Sequence, residues 1–210
     1  HTTLQEIAWI DASPVLVAQA VTTDFVLRVL PACPHLRKVT IMSEHASAGA
    51  MKNLLQLNKA TSLRLILETD QWLAVTDEIR HGRCNVQKLT LVMPRKTRSE
   101  ATEAAKAVAS AMSSDCNLEK LMLQMENGFT NEAGVALAEA LTVNKTLRMI
   151  TLSAQPVHGR DVHNKATLGA QSYEAFSAMM RINTSLVLKL PVFETTGADA
   201  KLLEWRDQLH

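Results

Sequence analysis

LEKLMLQMENGFTNEAGVALAEALTVNKTL, Leu118 to Leu147, is the stretch that decides how this chain folds. It opens with Leu118, Leu121 and Leu123 in L-x-x-L-x-L spacing. A short linker leads into a helical run carrying Gly134, Val135, Leu137, Ala138 and Leu141. Asn144-x-Thr146-Leu147 then begins the same pattern again. A strand half and a helix half that close on their own beginning form a unit with no internal cover for its leucines. Such units are buried by stacking on copies of themselves.

Working outward, seven strand starts share the pattern, at Leu4, Leu36, Leu63, Val86, Leu118, Leu147 and Leu186, spaced 23 to 39 residues apart. The Leu63 and Leu186 copies read L-x-L-x-L, one residue short, and both follow Thr-Ser. A small or turn-forming residue precedes most starts: Ser62, Asn85, Asn117, Thr146 and Ser185. Helical patterns are predicted over 14–30, 48–59, 74–81, 99–112, 131–143, 172–182 and 198–209. Pro14 suits a first turn, and Ser99 is the expected N-cap of its helix. Ala104, Ala105, Ala107, Ala109, Ala136, Ala138 and Ala140 give two helices small faces for close packing, and alanine also favours helix intrinsically.

Composition sets the outer limits. Of 210 residues, 47% are hydrophobic and 20% charged, enough for a buried core and too apolar for wholesale disorder. Lys plus Arg is 22 and Asp plus Glu 21, so net charge offers no general attraction to nucleic acid or anionic membrane. No run approaches the ~18 apolar residues of a membrane span. Residues 1–14 lack the basic and apolar regions of a signal peptide. A start at His1 is compatible with a longer parent chain that has lost a targeting segment. Three cysteines at low density suggest reduced thiols and a cytoplasmic or nuclear setting.

The triplets and their alternation with full helices resemble the leucine-rich-repeat proteins of the ribonuclease-inhibitor type, whose repeats run to ~28 residues. The resemblance is densest over Leu118–Leu152 and thins at Leu4 and Leu186. It implies one α/β domain over residues 1–210 with about six to seven degenerate repeats. The expected shape is a right-handed solenoid, a horseshoe with parallel strands on the concave face and helices on the convex face. Residues 154–170 are an inserted loop. The family usually carries Asn or Cys three residues past the third leucine. This chain has Glu44, Asp70, Pro94, Glu126 and Gln155 there, so its turns depart from the family pattern.

Strand alternation then nominates a partner-binding concave face. The outward residues are Lys38, Thr40 and Met42; Arg64, Ile66 and Glu68; Lys88, Thr90 and Val92; Lys120, Met122 and Gln124; and Met149, Thr151 and Ser153. This alignment stacks Lys38, Arg64, Lys88 and Lys120 in one column, suited to a protein partner with an acidic segment. Lysine at an exposed strand end also serves simply to keep the sheet soluble. Within the inserted loop, His158 and His163 lack helical spacing and a third ligand, so no metal is expected. Cys84 and Cys116 each lie two residues before a strand start, within reach of a disulfide across adjacent coils, or they form a buried thiol stack.

No nucleophile elbow, zinc motif or phosphate loop is present, and aromatics total 4%. The expectation is therefore no enzyme, no cofactor, no nucleic-acid partner and a role as an interaction module or scaffold. The alternatives are a regulator of a GTPase or of actin filament ends, since the closing TSLVLKLPVF and last helix resemble the C-terminal domain of tropomodulin. A further alternative is the sensing or autoinhibitory repeat region of a larger receptor or ubiquitin-ligase adaptor.

Overall fold

Strands and helices alternate along the chain in a computed structural model, which describes residues 5–10, 23–30, 32–33, 35–42, 47–57, 61–67, 69–93, 97–113, 117–125, 128–154 and 168–190. The strands are β1 (Glu6–Ile10), β2 (Lys38–Met42), β3 (Ser62–Ile66), β4 (Lys88–Met93), β5 (Lys120–Met125), β6 (Met149–Ser153) and β7 (Val187–Lys189). The helices are α1 (Ala48–Leu55), α2 (Thr69–Arg80), α3 (Arg98–Met112), α4 (Asn131–Val143) and α5 (Ala170–Ile182), with a π-helical turn at Phe25–Val29. All the strands are parallel and pair strictly in chain order. Parallel neighbours need a crossover, and from β2 onward each crossover contains one of these helices. Each α-helix packs on the next, giving one helical layer.

The core is made of the leucine rungs. Val39, Ile41, Leu63, Leu65, Leu89, Leu91, Leu121, Leu123, Ile150 and Leu152 are all buried. They meet Ala50, Met51, Leu54 and Leu55 of α1, Ala105, Val108, Ala109 and Met112 of α3, and Leu137, Ala138 and Leu141 of α4. The Trp72 indole N–H donates to the Ala104 carbonyl at 3.0 Å and ties α2 to α3. Where α4 meets the segment entering α5, Gly134 leaves no room for a side chain. A Cβ there would lie 2.7 Å from Leu168 Cδ2 and 2.7 Å from Ser172 Cβ.

Two strand registers differ from the sequence reading. Leu63 pairs with Val39 and Leu89, so it is the second leucine of its triplet and not the first. Leu188 likewise pairs with Ile150, which displaces Leu186 from the first position. A repeated backbone fork sets the register. Arg37 and Lys38 N–H both donate to Gln5 O, Thr61 and Ser62 N–H to Arg37 O, Glu119 and Lys120 N–H to Gln87 O, and Arg148 and Met149 N–H to Glu119 O. Counting leucines could not see these forks. The position three residues before Leu63, Ala60, lies outside the described residues.

Helix limits shift where caps dictate. α3 starts at Arg98 because Thr97, and not Ser99, is its N-cap: Thr97 Oγ1 accepts from Glu100 N–H at 3.3 Å, and the Glu100 carboxylate accepts from Thr97 N–H at 2.9 Å. α2 begins at Thr69, five residues ahead of the expected Ala74, and buries Gln71 and Trp72. α1 ends at Leu55, short of Lys59, and α5 starts at Ala170, ahead of Ser172, whereas α4 matches its expected limits. The predicted helix over 198–209, the 14–22 part of the first helix, and residues 155–167 of the inserted loop, including His158 and His163, lie outside the described residues. So do Cys116, Glu44, Glu68, Pro94, Glu126 and Gln155. Cys84 is buried, its sulfur 3.9 Å from Val86 O.

Coil-to-coil bonds from asparagine side chains sit at the turns before β4, β6 and β7. The buried Asn144 amide donates to Met112 O at 2.7 Å, and its oxygen accepts from Leu147 N–H at 2.8 Å and Thr146 N–H at 3.2 Å. One coil later, Asn183 donates to Leu141 O at 2.8 Å and to Asn144 O at 2.9 Å. Asn85 donates to Gln56 O at 3.0 Å. Asparagine thus bonds turn backbone across coils here, at the edge opposite to the one where the resemblance led us to look for it.

Candidate functional site

The sheet face opposite the leucine rungs carries three rows of side chains, set by pairing. The lower row, at the strand starts, runs Glu6, Lys38, Ser62, Lys88, Lys120, Met149 and Val187. The middle row runs Ala8, Thr40, Arg64, Thr90, Met122, Thr151 and Lys189. The upper row includes Ile66, Val92, Gln124 and Ser153, and the expected Met42 side chain lies outside what the structure describes. The expected column of four cations is therefore broken. Arg64 occupies the middle row between Thr40 and Thr90, and Ser62 holds its supposed place.

The rows differ in accessibility. Lys38, Lys88 and Lys120 are exposed, and Thr40, Arg64, Thr90, Met122, Met149 and Thr151 are half-buried. Ile66, Val92, Gln124 and Ser153 are buried despite pointing outward, Val92 fully so. These upper-row residues do not offer free contact area, contrary to the sequence expectation. Arg64 contributes to that cover: its guanidinium donates to Gln124 Oε1 at 3.3 Å, crossing β4 to reach β5. Alternation assigns a direction to a side chain and says nothing about what is laid over it.

Charge along the lower row is uneven. Lys38 is neutralised by Glu6 at 3.0 Å. Lys88 and Lys120 are direct neighbours on β4 and β5. Among the described residues neither forms an ion pair, so two lysines of like charge rise from backbones about one strand spacing, ~4.8 Å, apart. Beyond them the row turns apolar at Met149 and at Val187, which is 48% exposed.

Two further clusters lie off this face. At the C-terminal ends of α1 and α2, buried Glu78 accepts from Arg83 Nε and Nη2, both at 2.8 Å, and from Gln56 Nε2 at 2.8 Å, with Lys52 Nζ 3.6 Å away. The Arg83 hydrogen bonds outweigh burial and, helped by Gln56 and the Arg83 and Lys52 charges, lower the Glu78 pKa to about 2. Arg83 is correspondingly held above its ordinary value, first by the Glu78 hydrogen bond. Gly82, with φ of 68°, turns the chain after α2, and Arg83 N–H bonds Glu78 O at 3.0 Å, bringing the guanidinium back onto the carboxylate. On the helical layer, Lys106 is raised by hydrogen bonds to Glu132 and Glu103, bridging α3 to α4. Both networks join adjacent coils. An apolar hollow of ≈ 410 Å³ between α2 and α3 is lined by Trp72, Leu73, Met93, Ala104 and Ala107 and edged by Glu100, Glu103 and Lys106.

Among the described residues, no group of three or more His, Cys, Asp or Glu could hold a metal ion, and no helix is long and apolar enough to cross a membrane. The sequence matches no protein-family model and no curated protein. Among solved structures it is similar to leiomodin-1 actin-binding site 2, with a TM-score of 0.55 and 17% identity, over 77% of this chain and 86% of that one. At that identity the likeness is one of fold, and it supports a leucine-rich-repeat type of architecture.

Proposed function

We propose that this chain is a non-catalytic protein-interaction module. Its partner docks on the outward sheet face of the later coils through Lys88, Lys120, Met149 and the half-buried Thr90, Met122 and Thr151. One observation carries the reading: two adjacent exposed lysines without acidic partners among the described residues, beside a half-buried Thr and Met row. Unpaired cations beside apolar surface suit an acidic segment of a protein, where charge gives orientation and the apolar part gives affinity. We read the stack as a right-handed solenoid of the ribonuclease-inhibitor type, in line with the handedness that parallel crossovers adopt in ≈ 98% of cases. In that geometry this face is the concave one.

The test is capture of partners by the wild type, by Lys88→Glu/Lys120→Glu, and by a control reversed at Lys145 and Arg181, exposed cations that belong to none of the three rows. Partners that bind the wild type and the control, and are lost from the double variant, support the proposal. A partner set unchanged by the Lys88/Lys120 reversal rejects it.

A second reading follows from the structural neighbour, the actin-binding site 2 of leiomodin-1. Co-sedimentation with filaments and a pointed-end depolymerisation assay distinguish it. Actin binding abolished by the same double reversal would make actin the partner of this face.

A further inference from the structure

The lower row of β4 to β7 has an order as well as a composition. Lys88, Lys120, Met149 and Val187 are consecutive register partners, one per strand, on the same side of the sheet. The row reads cation, cation, apolar, apolar. Its rungs repeat every ~4.8 Å. An α-helix laid across the strands advances ~5.4 Å per turn, so it offers one side chain per turn to each successive strand. An extended segment offers same-face side chains only every ~6.6 Å and loses step after two strands.

Resting on the functional reading above, we propose that the partner segment is an amphipathic α-helix lying across β4 to β7. It presents acidic residues on two successive turns, to Lys88 and Lys120, and then aliphatic residues on the next two, to Met149 and Val187. The contacting positions are i, i+3, i+7 and i+10, one face of a helix. Acidic residues in the first turns suit a helix N-terminus and offset its positive end standing over two lysines, and exposed Lys189 of β7 favours the C-terminal end. The N-terminal end is therefore placed over β4. Thr90, Met122 and Thr151 form the wall along one side of the helix.

The probe is a lactam-stapled, end-capped 14-residue helix with Glu at i and i+3 and Leu at i+7 and i+10, measured by fluorescence anisotropy against the full chain. Its comparator has the same composition with the face interleaved as Glu, Leu, Glu, Leu. The ordered peptide binds at least tenfold tighter than the interleaved one, and exchanging the two rungs at which the peptides differ, Lys120→Met/Met149→Lys, reverses that preference. Equal binding of the two peptides, no measurable binding of the ordered one, or a preference that survives Lys120→Met/Met149→Lys overturns the inference. That failure is separable from failure of the broader reading: if the Lys88→Glu/Lys120→Glu variant still loses its captured partners, the face binds a segment of another shape.

Discussion

Replacing Glu78 with Gln is expected to destabilise the protein at neutral pH and to matter progressively less in acid. The carboxylate takes two charge-assisted bonds from Arg83 and one from Gln56, and it is buried. Its pKa is lowered from 4.5 to about 2. A depressed folded-state pKa stabilises the fold fully above the unfolded value, near 4.5, and the benefit is lost as pH falls toward 2. A shift of that size corresponds to about 3 kcal/mol at most. The Arg83 and Lys52 side chains are 45% and 41% exposed, so solvent screening reduces the expected figure to about 1.5–3 kcal/mol. The amide of the variant keeps the volume and loses the charge, which isolates the electrostatic part. Urea unfolding followed by tryptophan fluorescence, at pH 7, 3 and 2, reads the difference directly. The gap between wild type and Glu78→Gln should shrink to under half by pH 3 and nearly close at pH 2. A gap of constant size across this range would refute the carboxylate argument. Arg83→Met should cost a similar amount at pH 7, and the two changes together less than their sum, because they remove one shared interaction.

The remaining expectations concern the turn edge, the helical layer and the sheet face. Asn144→Ala strands Met112 O and Leu147 N–H in the interior and should cost about 2–4 kcal/mol in urea unfolding, against about 1 kcal/mol for Asn85→Ala at its less buried turn. Gly134→Ala forces a methyl against Leu168 and Ser172, and the net loss after its gain in helix propensity should be about 1–2 kcal/mol. Gly49→Ala, with nothing nearer than Ser47 Oγ at 3.9 Å, should instead raise stability by about 0.5–1 kcal/mol. Lys88→Glu/Lys120→Glu should unfold at the wild-type urea midpoint, since both side chains are exposed. A shifted midpoint would mean that their effect on capture is structural.

The repeat was legible because its signal is redundant. A rung such as Leu121 and Leu123 recurs at every coil, so one weak copy is outvoted by its neighbours. α4 was legible to its ends because Thr130 caps it and Asn144 stops it. The register of β3 was not legible. Leu63, Leu65 and Leu67 are all buried, and any of several alignments puts leucine in the core. The backbone fork from Thr61 and Ser62 to Arg37 O chooses among them, and side-chain identity carries no trace of it. Burial of Ile66, Val92 and Gln124 was hidden for a related reason. It depends on what crosses the outward face, such as Arg64 reaching Gln124, and that contact joins residues sixty positions apart. The Glu78 cluster had no local motif, because its geometry depends on the turn at Gly82.

The lower row and the coil-to-coil bonds occupy the same edge of the sheet, and this bears on recognition. Lys120 N–H donates to Gln87 O, Met149 N–H to Glu119 O and Val187 N–H to Arg148 O. Each side chain assigned to the partner thus hangs from an amide already committed to the neighbouring coil. Behind β6 and β7, Asn144 and Asn183 join the turns that lead into those strands. A row anchored in this way loses little backbone freedom when something docks on it, so more of the contact energy remains as affinity. The same register limits the row's exposed lysines without an acidic partner among the described residues to two adjacent rungs. Lys38 is spent on Glu6, and Ser62 separates that pair from Lys88. Had β3 followed the leucine count, Arg64 would have filled the gap and lengthened the basic run ahead of the apolar rungs. The shift set by the backbone fork instead leaves a short charged step followed by an apolar one, and on the helix proposal such a row would discriminate by order and not by charge alone.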